Sequence, residues 1–191
     1  MGYVTAILGL SRKCIVLDLD NTLWGGIVGE DGFEGIKLGD EPVGRSYVEF
    51  QHSLLALNQR GILLAINSKN NFDDAIQVIK EHPNMVLKED NFACVRINWN
   101  DKVVNMKEIS DELNIGLDSM VFIDDDPVNI EYVRTNLPEL ASIQMPSDNC
   151  HNNSRHLQSI SSLFNVLKIT DEDKARNKMY LEQRKRTELK T

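Results

Sequence analysis

The amino-acid sequence predicts an α/β fold, a Rossmann-like three-layer sandwich with a central, mainly parallel sheet. Two observations predict it. Short apolar runs alternate along the chain with longer stretches whose apolar residues recur at helical spacing, and the first run ends abruptly in two acids, Asp18 and Asp20. At 191 residues, 41% hydrophobic and 26% charged, the chain suits one globular domain with a sizeable core.

The elements follow in order. The first strand is expected at 14–19, where the apolar run CIVL delivers Asp18 and Asp20 to its own end. Residues 24–39 depart from the alternation: six glycines and the short apolar pieces Ile27-Val28 and Ile36-Lys37-Leu38 predict a hairpin or flap. A helix at 44–60 leads to a strand at 62–67, and a helix at 71–81 to a strand at 93–98. A helix at 101–114, a strand at 120–123, a helix at 127–136 and a strand at 141–145 complete the sheet. Pro127 fits the first turn of its helix. From Thr170-Asp171-Glu172-Asp173 to the basic cluster Arg184-Lys185-Arg186, acids at the start and bases toward the end predict a solvated terminal helix. The division expected is a catalytic domain over 1–168, with its flap at about 24–40, and a charged helix over 169–191.

Composition bounds the partners. A formal net charge of −8 argues against general affinity for nucleic acid or anionic membranes, both of which reward basic surfaces. No apolar stretch approaches a bilayer-spanning length and the first residues do not read as a leader, so a cytoplasmic location is expected. Cys14, Cys94 and Cys150 lack the paired spacing of a zinc site and read as reduced, mostly structural thiols. His52, His82, His151 and His156 show no ligand spacing.

In parallel α/β folds ligands bind outside the carboxyl ends of the strands. Just past the predicted strands lie Asp18 and Asp20, then Ser68 and Asn70, then Asp101 and Lys102, then Asp124, Asp125 and Asp126. Two acids two residues apart on a strand can share one side of the chain, and they repel unless a cation or a shared proton compensates. The pair therefore suggests a metal, an acid/base couple, or both. A carboxylate neutralised by a divalent cation can attack phosphorus, the place proposed for Asp18, while Asp20 can protonate the leaving oxygen and later deprotonate water. Mg2+ suits such oxygen ligands. Ser68 and Lys102 offer donors to a phosphoryl group. Taken singly, the same residues have structural readings: Ser68 and Asp101 as helix caps, Lys102 as a surface cation.

The ordered set Asp18-x-Asp20-x-Thr22, Ser68, Lys102 and Asp124-Asp125-x-x-x-Asn129 resembles the four motifs of the haloacid dehalogenase (HAD) phosphohydrolase superfamily. The resemblance is closer still to its IIIC-type, FkbH-like branch, through the stretches VLDLDNTLWGG at 16–26, VGEDG at 28–32, SKN at 68–70, RINWNDK at 96–102 and VFIDDDP at 121–127. It implies a HAD-like core with a minimal, flap-only cap, Mg2+ dependence and a phosphoaspartate at Asp18. It further implies that Asp20 is the acid/base and binds the metal through its main-chain carbonyl, that Ser68 and Lys102 hold the phosphoryl group, and that Asp125 ligates Mg2+ with Asp124 assisting. Asn21, Thr22, Trp24 and Asn70 join Ser68 and Lys102 as expected substrate-binding residues.

FkbH-like proteins resemble enzymes that take a glyceryl unit from 1,3-bisphosphoglycerate and load it on an acyl carrier protein through a cysteine thioester. Cys150, in a polar stretch beside His151, is the most accessible candidate for that thioester. Two further readings stand beside a plain phosphatase acting on a phosphorylated small molecule: this glyceryltransferase, with an acyl carrier protein as partner, and a non-catalytic phosphate-binding module.

Overall fold

The computed structural model describes residues 12–145, together with Met179, Tyr180, Glu182 and Arg186. Strands β1 (Cys14–Leu17), β2 (Leu63–Ser68), β3 (Phe92–Ile97), β4 (Met120–Asp124) and β5 (Ala141–Gln144) form a five-stranded sheet in the order β3-β2-β1-β4-β5. Every pairing in it is parallel. Helices α1 (Pro42–Gln59), α2 (Phe72–Glu81), α3 (Lys102–Leu113) and α4 (Pro127–Asn136) lie between the strands. The predicted three-layer α/β architecture is the one observed.

β1 is buried at all of its positions, as a central parallel strand covered on both faces requires. Ile15 and Leu17 pack into the layer that holds Phe50 and Leu54 of α1 with Ala75 and Ile79 of α2. Cys14 and Val16 face the opposite layer, with Met106 and Ile109 of α3 and Ile130 and Val133 of α4. The continuous apolar run in the sequence is thus two alternating faces, each with its own helical cover.

The glycine-rich segment is not a ladder of paired strands. One antiparallel bridge, Gly25 with Lys37, closes a loop around a single helical turn, Val28–Asp31, in which the Asp31 carboxylate accepts the Ile27 N–H at 2.8 Å. With glycine recurring through it, the segment cannot sustain strand pairing. It is seated on α1 at Gly44, where a Cβ would stand 2.6 Å from the Gly39 nitrogen. Buried Gln51 of α1 fastens its root: Nε2 donates to the Leu23 carbonyl at 2.8 Å while Oε1 accepts from Val86 and Leu87.

Cys150 and most of the segment expected as a charged terminal helix lie outside the described residues. Met179, Tyr180, Glu182 and Arg186 are helical, and Tyr180 is tied to the domain, donating its hydroxyl to the Leu113 carbonyl at 2.8 Å.

Candidate active site

The chain runs outward from β1 through β2 to β3, then crosses back to β4 on the other side of β1. The carboxyl end of β1 is therefore the point where the strand order reverses, the usual place for a ligand crevice in this architecture. Asp18 stands there, its N–H donating to the Ile123 carbonyl of β4 at 3.0 Å.

Lys102 closes on Asp18 from α3. Its Nζ lies 2.6 Å from Asp18 Oδ1 and 2.5 Å from Asp124 Oδ2, and 5.3 Å from the centre of the Phe122 ring. The ammonium is nearly fully buried, so the surface-cation reading is excluded. Burial disfavours its charge, yet the two carboxylates hold it protonated above the ordinary lysine range. Asp101 is a helix cap, as its structural reading had it: Oδ1 accepts from the Val103 N–H at 2.7 Å and from Val104. That cap starts α3 at Lys102. Ser68 ends β2, and the cap of α2 is Asn71 rather than Ser68. Ser68, buried at the strand end, instead lies beside Asp18, whose pKa its hydroxyl acts to lower.

The three consecutive acids after β4 have three environments. Asp124 is wholly buried and turned inward, accepting from Lys102 and from the Asp126 N–H at 2.8 Å. Asp126 turns the other way and caps α4 through the Val128 N–H. Asp125, half-exposed, forms with Asp18 and Asp124 a group whose carboxylate oxygens lie within 4.8 Å of one another. Burial pushes the Asp125 carboxyl up to about 7, reinforced by the charges of Asp18 and Asp124. Burial likewise raises Asp18 to about 6, with Asp124 adding to the shift and Lys102 and Ser68 opposing it. Three carboxylates share one ammonium. That excess of negative charge on hard oxygen donors suits a divalent cation such as Mg2+.

Asp20 belongs to a separate arrangement at the root of the flap. Its Oδ1 accepts from Trp24 Nε1 at 2.8 Å and the Val28 N–H at 3.1 Å, and its Oδ2 from Asn70 Nδ2 at 2.8 Å. Burial nonetheless raises its pKa above the ordinary aspartate value, against the pull of those three donors. Asp20 contributes no side-chain oxygen to the three-carboxylate group.

These contacts and their surroundings place the other residues expected to bind substrate. Trp24 is wholly buried, so its ring offers no surface to a substrate; it holds Asp20. Asn70 is also buried, with one amide end on Asp20 and the other accepting from the Asn71 N–H. Asn21, in a left-handed conformation at φ 53°, closes the turn by accepting from the Gly26 N–H at 2.8 Å. Thr22 is buried within the fold, and its hydroxyl has no partner among the described residues. Ser68 and Lys102 remain beside Asp18. Cys14 and Cys94 are fully buried, and burial also pushes the Cys14 thiol up, so neither is placed to carry a transferred acyl group.

Sequence reasoning missed three asparagines, Asn67, Asn98 and Asn105, that join the ends of β2 and β3 to the start of α3. The signal available was a polar residue, Asn67, interrupting the apolar run LLAI just before Ser68.

Fold and site together define a class: a parallel α/β domain with a buried carboxylate–ammonium cluster at its topological switch point. Among solved structures, the chain is similar to the N-terminal part of the protein BF1531 from Bacteroides fragilis, which contains a phosphatase domain and is complexed with Mg. The two share 40% sequence identity with a TM-score of 0.82, over 86% of this chain and 44% of that one. The chain thus spans less than half the length of that relative. A Corynebacterium glutamicum protein shares the fold at 14% identity and a TM-score of 0.52, covering 81% of this chain and 96% of its own. A HAD family enzyme from Bacteroides thetaiotaomicron, complexed with magnesium and inorganic phosphate, has 13% identity and a TM-score of 0.49, over 72% of this chain and 95% of its own. No family model and no curated protein matches the sequence.

Proposed function

We propose that this chain is a Mg2+-dependent, HAD-type phosphohydrolase or phosphotransferase that works through a phosphoaspartate at Asp18. The observation that carries the reading is the placement of the Asp18 carboxylate at the switch point, gripped by Lys102 at 2.6 Å and grouped with Asp124 and Asp125. The Mg2+-bound phosphatase domain of the 40% identical relative supports it.

Asp18, Asp124 and Asp125 would hold the cation, with the main-chain carbonyl of Asp20 as the further ligand the family resemblance implies. Bound Mg2+ supplies charge neutralisation for the attacking carboxylate and for the incoming phosphoryl oxygens. The chain's own groups do the rest. Lys102 and Ser68 bind phosphoryl oxygens and orient phosphorus toward Asp18. A carboxylate oxygen of Asp18 forms the new O–P bond while the bond to the leaving oxygen breaks. Asp20, whose raised pKa favours the protonated form, gives that oxygen its proton. In the second half, Asp20 takes a proton from water, and the resulting attack on phosphorus releases phosphate and restores Asp18. Trp24, Asn70 and the Val28 N–H orient Asp20 for both transfers.

Turnover of p-nitrophenyl phosphate tests this: activity should require Mg2+, and Asp18→Asn should lower kcat at least about a thousandfold. Undiminished turnover in that variant refutes the mechanism. Failure to trap beryllofluoride at Asp18 with Mg2+ present would favour a non-catalytic phosphate-binding module. The FkbH-like resemblance supplies the finer alternative, glyceryl transfer from 1,3-bisphosphoglycerate to an acyl carrier protein. A glyceryl adduct on the carrier's phosphopantetheine arm, seen by mass spectrometry, would establish it; release of phosphate alone would exclude it.

A further inference from the structure

Asn67 and Asn105 are wholly buried, and their side chains bond each other. Asn67 Nδ2 donates to the main-chain carbonyl of Lys102 at 2.9 Å, while its Oδ1 accepts from Asn105 Nδ2 at 3.1 Å. The same Asn105 Nδ2 donates to Asn98 Oδ1 at 2.9 Å, and the Asn98 N–H donates to the Ser68 carbonyl at 3.1 Å. A continuous path of hydrogen bonds therefore runs from Ser68 through Asn98, Asn105 and Asn67 to Lys102. It links the end of β2, the end of β3 and the first residue of α3.

The orientation of the Asn105 amide follows from its neighbours. Its nitrogen faces two acceptor oxygens, and turning it over would set oxygen against oxygen. The Asn105 Oδ1 is buried with no partner among the described residues. Leucine at 105 would remove that acceptor but leave the buried Asn67 Oδ1 without its donor, so the two amides stand or fall together. What the amides add is direction: they hold the main chain of Lys102 at one place relative to Ser68.

We propose that Asn67 and Asn105 are positioning residues for Lys102, setting the start of α3 so that its ammonium and the Ser68 hydroxyl meet the same phosphoryl group. The inference rests on the phosphoryl-transfer reading of Asp18. A displacement of about 1 Å in a group of this kind is enough to cost up to about a hundredfold in rate.

The test uses the full chain with Mg2+ and p-nitrophenyl phosphate, comparing wild type with Asn67→Leu and Asn105→Leu. KM for the ester and Ki for inorganic phosphate should rise together, by about tenfold or more. The double variant should be no worse than the worse single variant, because the two amides act as one unit. In a Lys102→Met background, Asn67→Leu should leave kcat/KM where Lys102→Met alone puts it. Variants with a lower Tm but unchanged KM and Ki overturn the proposal, as does an equal further loss of kcat/KM in the Lys102→Met background. Should either leucine variant fail to fold, Asn98→Ala, at a half-buried position, breaks the same path and should raise KM and Ki in parallel; unchanged values refute the role. A wild-type chain without turnover refutes the phosphatase reading instead, which keeps the two failures distinct.

Discussion

Lys102→Met is the sharpest perturbation of the site. Methionine retains much of the apolar stem and deletes the ammonium that bonds Asp18 and Asp124 at 2.6 and 2.5 Å. The three side chains are 3%, 11% and 0% exposed, so water can take only a small part of the lost partner's place. Breaking a buried ion pair by removing one member typically costs about 3–5 kcal/mol. Against a total stability of about 5–15 kcal/mol, that is a large fraction. For a chain of 191 residues it corresponds to a Tm lower by roughly 6–20 °C. The sign of the pH dependence follows from Asp18, which is held near 6 in the folded protein, above its ordinary aspartate value. A carboxyl with a raised folded pKa binds its proton more tightly in the folded state, so its ionisation lowers stability as pH climbs from about 4 through about 6. Without Lys102 the shift is larger, so the deficit of the variant should be greatest at pH 8 and shrink at pH 5. Mg2+ should also narrow it at pH 8, by neutralising the same carboxylates. Thermal unfolding of both chains at pH 5 and 8, with EDTA or Mg2+, measures all of this. An equal deficit at both pH values, or none at pH 8, would refute the reasoning.

Asp125→Asn removes a carboxyl that its surroundings push up to about 7, so in EDTA at pH 8 the variant should unfold at a higher temperature than wild type; at pH 5, where wild-type Asp125 is protonated, the two should converge, and the gain in Tm on adding Mg2+ should be smaller in the variant. Trp24→Phe keeps a buried ring but deletes the 2.8 Å donor to Asp20, so kcat should fall by about tenfold, the loss of roughly 1.5 kcal/mol for a charge-assisted bond. The same change removes one influence that lowers the Asp20 pKa, so the limb of the pH–rate profile due to Asp20 should move upward. Gly44→Ala should destabilise by about 1–3 kcal/mol in denaturant titrations although alanine favours helix, because its methyl would meet the main chain of Gly39 and Leu38.

The sheet was legible because both faces of its central strands are covered, which leaves uninterrupted apolar runs, and because α1 to α4 carry apolar residues at helical spacing. The strand-end rule located Asp18, Ser68, Lys102 and the three acids. It could not divide the work among Asp124, Asp125 and Asp126, which are chemically identical in sequence. The division depends on where the strand ends: Asp124 is its last residue and faces Lys102, while Asp126 has already turned to cap α4. Lys102 supplies the positive charge that a run of acids after an apolar strand demands, though nothing local to positions 124–126 shows from which helix it comes. The family resemblance puts Trp24 among the substrate-binding residues; its burial depends on α1 packing over that loop, a long-range contact that the motif does not encode. Asn67 and Asn105 escaped notice for a related reason: a lone asparagine reads as a surface residue until its partner, far away in sequence, is known.

β1 receives main-chain hydrogen bonds from β2 on one side and β4 on the other, and Asp18 extends that pairing by one more amide, to Ile123. In hydrogen-exchange terms, the Asp18 carboxylate is attached to the stretch of backbone that should open last, with global unfolding, while the loop carrying Val28 lies outside the sheet, closed by one antiparallel bridge and its own turn hydrogen bonds, and should open earlier. On the proposed function, substrate entry and product departure would draw on the opening of that loop without disturbing the register of the strand that carries Asp18.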